Sequence, residues 1–61
     1  MKSNQFYAIT AANSIMSASQ CVLAAVSGGY TQNDVVDAEW LKMARERIAQ
    51  AVKYLDLIKE N

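Results

Sequence analysis

The chain has no proline, and its only two glycines are adjacent, at Gly28 and Gly29. Proline and glycine are the residues that most reliably end a helix. With a single break near the middle, the backbone is left with two long uninterrupted segments. Each shows helical rather than strand periodicity. The pattern predicts an all-α fold, one domain over 1–61, with helix one at about 4–27, a loop at 28–33 and helix two at about 34–60. Gly28 suits the left-handed residue after a helix end. Thr31, Asn33 and Asp34 are candidate N-caps, and Asp34 and Asp37 put negative charge at the positive end of helix two.

The two segments differ sharply in charge. From Ser3 to Asn33 there is none; apart from Lys2, every charged residue falls at Asp34 or beyond. The uncharged half does not read as a membrane span. Thr10, Asn13, Ser14, Ser17, Ser19 and Gln20 interrupt it, and its longest purely apolar run is Cys21 to Val26. Nor does it read as a secretory signal, which needs a compact apolar region before a small-residue cleavage site. On a helix, Thr10, Asn13, Ser14, Ser17, Gln20 and Ser27 fall on one side. Ala8, Ala12, Ile15, Met16, Ser19, Val22, Leu23 and Val26 fall on the other. The middle line of that apolar face, Ala8, Ala12 and Ser19, is small, which predicts close helix approach with Ser19 as a contact position. The expected core positions of helix one are Ala8, Ala12, Ile15, Ser19, Leu23 and Val26.

Helix two carries Leu41, Ala44, Ile48, Ala51, Leu55 and Ile58 at heptad spacing. Lys42, Arg45, Glu46, Lys53, Asp56 and Glu60 make an opposite, solvated face. A second stripe flanks the core line: Val36, Trp40, Met43, Arg47 and Tyr54. Two helices bury only one face each, so this much apolar and aromatic surface predicts self-association. The expected architecture is an antiparallel hairpin that assembles into a four-helix bundle or a larger homo-oligomer.

Composition narrows the function. Hydrophobic residues make up 52% of the chain, which excludes a disordered tail. Six basic residues balance six acidic ones, which argues against nucleic acid or an acidic membrane as partner. Cys21 is the single cysteine and there is no histidine. No internal disulfide can form, and a reducing, cytoplasmic setting is expected. Cys21 has no histidine to activate it. No metal spacing, phosphate loop or triad is present, so no enzyme, metal or cofactor is expected. The candidate binding residues are Trp40, Met43, Arg47 and Tyr54, with Tyr7 able to reach the C-terminal part of helix two in an antiparallel hairpin. A guanidinium among rings suits an anionic or aromatic ligand. An arginine at an interface edge has the same pattern.

The stretch "WLKMARERIAQAVKYL" resembles the second helix of small phage proteins that block CBASS immunity by sequestering cyclic nucleotides. The matching residues are Trp40, Ala44, Ile48, Gln50, Ala51 and Leu55. The resemblance covers about a quarter of the chain. It implies an oligomer of hairpins, phage-encoded, that holds a cyclic nucleotide between protomers without hydrolysing it. Helix one departs from that family, whose first helix carries basic and aromatic residues for phosphates. The other expectation is a small regulator that covers a host protein through the aromatic stripe of helix two.

Overall fold

The computed structural model describes residues 3–26 and 36–60. They form a helical hairpin: α1 spans Asn4–Ala25 and α2 spans Ala38–Asp56. The two pack along their length. Three contacts fix them as antiparallel. Asn4 meets Lys59, Tyr7 meets Tyr54, and Ala25 meets Asp37. The expected loop 28–33, the candidate caps Thr31, Asn33 and Asp34, and Lys2, Ser27 and Tyr30 lie outside the described residues.

Local chemistry sets the helix ends. Ser3 caps α1, its hydroxyl accepting from the Phe6 N–H at 3.1 Å. Asp37 caps α2, its Oδ1 accepting from the Glu39 N–H at 2.9 Å. Helix two therefore starts later than the expected 34, because Asp37 leaves the helix to cap it. The Asp37 N–H is used at the same time: it donates to the Ala25 carbonyl at 3.1 Å, at the open end of α1. One residue thus closes two helix termini. Helix two also ends before the expected 60. The Leu57 and Ile58 N–H groups fold back on the Tyr54 and Leu55 carbonyls at 3.1 and 3.2 Å. Beyond them, the Asn4 amide clamps the Lys59 backbone from both sides. Nδ2 donates to the Lys59 carbonyl at 2.8 Å, and Oδ1 accepts from the Lys59 N–H at 3.1 Å. The side-chain amide supplies the donor on one atom and the acceptor on another, so it meets both backbone groups at once.

The seam between the helices is built from small residues. Ala11, Ala18, Cys21 and Ala25 are buried on α1, and Ala44 and Ala51 on α2. The three antiparallel contacts place Ala11 level with Ala51, and Ala18 level with Ala44. Ser14 is then level with Arg47, Cys21 with Leu41, and Tyr7 with Tyr54. Each large side chain faces a small one or, at the end, another ring, an arrangement that lets the backbones approach closely.

This corrects the expected core of helix one. Ala8, Ala12, Ile15, Ser19, Leu23 and Val26 are all exposed in the hairpin. Ser19 is no close-contact position there; Ala18, one residue earlier, is. Thr10, Ser14 and Ser17, expected on the polar side opposite the core of helix one, are half-buried beside the seam. The reason is steric. A line of alanine, serine and cysteine allows closer packing than one interrupted by Ile15 and Leu23, and the hydroxyls are tolerated because a helix can satisfy them internally. Thr10 Oγ1, for one, donates to the Phe6 carbonyl at 2.8 Å. Helix two divides its expected core line. Ala44 and Ala51 are buried, Leu41 and Ile58 half-buried, but Ile48 and Leu55 are 49% and 47% exposed. Arg47 and Tyr54 take their places at the seam.

The alanine seam predicts a contrast between two identical changes. Ala44→Leu wedges the helices apart and should cost about 1–3 kcal/mol in urea unfolding. Ala49→Leu, on the exposed side of the same helix, should leave stability within about 0.5 kcal/mol.

Candidate functional site

A helix turns by roughly 100° per residue, so each helix has a flank on either side of its buried line. In an antiparallel pair, the flanks that are clockwise of the buried line, each viewed from its own N-terminus, fall on the same side of the hairpin. The hairpin therefore has two unlike sides.

The first side is lined by Thr10, Ser14 and Ser17 of α1 and by Met43, Arg47, Gln50 and Tyr54 of α2. Arg47 is half-buried, whereas Lys42, Arg45, Glu46, Lys53 and Asp56 are all exposed. Ser14 across the seam is small and leaves room for the arginine stem. At one end, Tyr54 stacks on Tyr7 with ring centroids 6.3 Å apart and planes 29° from parallel. Phe6 meets Tyr7 edge-on at 5.9 Å. The expected reach of Tyr7 to the C-terminal part of helix two is thus observed.

Trp40 is not part of this cluster. It lies in the first turn of α2, about four turns from Tyr54, roughly 21 Å along the axis. It is 39% exposed, and Met43 one turn on is 36% exposed. Of the five candidate binding residues, the Tyr7–Tyr54 stack lies toward one end and Trp40 in the first turn of α2, with Arg47 midway, two turns from either, and Met43 one turn from Arg47. The two ring positions at the ends of this row, Trp40 and Tyr54, are too far apart to touch each other in one hairpin.

The second side is apolar. Ile15, Val22 and Val26 of α1 share it with Leu41, Ile48, Val52 and Leu55 of α2. Ala8, Ala12 and Ser19 lie on its α1 half. Periodicity located the α1 residues, but nothing in it distinguished an outer face from the hairpin seam. The signal that does so is side-chain size: the alternation of Ala11, Ser14, Ala18, Cys21 and Ala25 is a heptad of small residues.

Chemistry-bearing groups are sparse. Cys21 is a free thiol, 5% exposed among alanines. Among the described residues no three of His, Cys, Asp and Glu gather as a metal would need. By length and hydropathy alone α1 could cross a membrane, and little of it is buried within the hairpin. Comparison with protein-family models, curated proteins and solved structures finds no match for this chain.

Separation of the two aromatic groups has a measurable consequence. In a double-mutant cycle, Tyr7→Leu and Tyr54→Leu should couple by about 0.5–1.5 kcal/mol, the usual worth of an aromatic pair. Trp40→Leu and Tyr54→Leu should add independently within about 0.5 kcal/mol.

Proposed function

We propose that the protein is a non-enzymatic, cytoplasmic binding protein whose working unit is an assembly of hairpins. One observation carries this reading: among the described residues the hairpin buries only alanines and a cysteine, while Ile15, Val22, Ile48, Val52 and Leu55 remain exposed. Fully burying a large aliphatic side chain contributes about 1.5–3 kcal/mol, and among the described residues the hairpin fully buries none. Ordering each residue costs roughly 1.5 kcal/mol. An assembly that hides those side chains restores the balance. Nothing in the reading requires bond-making; the chain has no histidine, and its one thiol is buried among alanines.

The cargo we propose is an anionic, ring-bearing small molecule of the cyclic-nucleotide class. Its support is Arg47, a half-buried cation in a wall that is otherwise uncharged on the α1 side, two turns from the Tyr7–Tyr54 stack. Guanidinium for phosphate and ring for base is a common division of labour. Met43, one turn from Arg47 on the same side, and Trp40, two turns from it, extend that wall toward the start of α2. The resemblance of helix two to the cyclic-nucleotide-sequestering phage proteins points the same way, and under it the protein counters host immunity. A second reading has its own observation. Trp40 and Met43 are exposed at the opposite end, as anchors for a host protein would be.

Two measurements test these statements. The melting temperature should rise with protein concentration, as linkage to association requires; a folded monomer at micromolar concentration contradicts the assembly. A thermal-shift screen with cyclic di- and trinucleotides should then find a stabilising ligand. Arg47→Ala should weaken it about ten- to hundredfold while leaving the oligomer intact. No shift with any nucleotide, together with partner capture lost in Trp40→Ala, favours the protein-binding reading.

A further inference from the structure

We infer that a second copy of this chain covers the apolar side of the hairpin, the side bearing Ile15, Val22, Ile48 and Leu55, in an isologous arrangement that makes a four-helix bundle. The inference rests on the assembly proposed above and adds which face closes it, and against what.

Three observations select the occupant. The first is size. The 22-residue α1 is about 33 Å long and the hairpin is 17 Å broad, so the helical face has a footprint of roughly 560 Å², about 1,100 Å² over two copies, just above the ~1,000 Å² that a specific interface needs.

The second is charge. The α1 half of this face has no charged residue, and on α2 the nearest helical charges, Arg45 and Asp56, lie at the outer rim. Two copies face to face strand no charge between them. An apolar centre with a polar rim is how protein interfaces are built.

The third is relief. Ala8, Ala12 and Ser19 are small, while Ile15, Val22, Ile48 and Leu55 stand out beside them. A surface with both ridges and hollows can interlock with its own copy, as an isologous contact demands. The other side lacks this character. Its α1 half carries the hydroxyls of Thr10, Ser14 and Ser17, and its α2 half carries Arg47.

Analytical ultracentrifugation of the full chain and of variants tests the assignment. Wild type should sediment as an oligomer. Ile15→Lys and Ile48→Glu should each sediment as a monomer, and Met43→Glu, on the other side, should retain the wild-type mass. Because Ile15 and Ile48 are 48% and 49% exposed in the hairpin, helical circular dichroism should survive in both. Should either variant unfold, the milder Ile48→Ala/Leu55→Ala pair should raise the dissociation constant about thirtyfold or more. A wild-type monomer overturns the assembly and this face with it. An oligomer broken by Met43→Glu but not by Ile15→Lys or Ile48→Glu overturns the face alone. A monomer that floats with phosphatidylcholine vesicles assigns the apolar side to lipid and also overturns the proposal.

Discussion

Close contact along the alanine seam sets everything else in this molecule. Ala11 level with Ala51 and Ala18 level with Ala44, all buried, allow a closer helix approach than larger side chains would. Once those residues face inward, the rotation of both helices is fixed. That rotation points Ile15, Val22, Ile48 and Leu55 outward on one side. It holds Arg47 and Tyr54 half-buried on the other. The apolar exposure of the hairpin is thus a consequence of the seam.

The ends of the hairpin are held by polar contacts of long sequence separation. Asp37 ties the start of α2 to the end of α1, and Asn4 ties the start of α1 to Lys59. With the Tyr7–Tyr54 stack they fix the register, which an alanine seam alone defines weakly because successive alanines are alike. A sliding hairpin would present its apolar side in many alignments. A register pinned at both ends presents one, and a single alignment is what a specific interface needs.

The two helices and their antiparallel pairing were legible in the sequence, because the missing prolines and the lone Gly28-Gly29 pair leave few alternatives. The reach of Tyr7 to helix two followed from that pairing. The rotation of α1 was not legible from hydropathy. Ile15, Leu23 and Val26 dominate an amphipathic reading, yet they lie outside the hairpin seam. Ser14 and Cys21 look like polar or neutral positions, yet they sit at it or beside it. Hydropathy asks which residues avoid water; the seam was decided by which residues are small enough to meet. On α2 the same rule moved Ile48 and Leu55 outward while Ala44 and Ala51 stayed in. The binding set was legible only in part. Arg47 stood out as a cation on an apolar stripe, but periodicity did not show how far the stripe runs: Trp40 and Tyr54 lie roughly 21 Å apart along α2, with Arg47 midway.

The account depends on the rotation of α1, and Cys21 reports it. In the alanine-seam hairpin its thiol is 5% exposed. If Ala8, Ala12 and Ser19 faced α2 instead, Cys21 would lie on the far side of the helix, open to solvent. The decisive measurement is the rate at which an aromatic disulfide reagent labels Cys21 under native conditions. The account predicts strong protection, with labelling that accelerates as urea opens the hairpin. Labelling at the rate of a free thiol, with the chain fully helical, would contradict it.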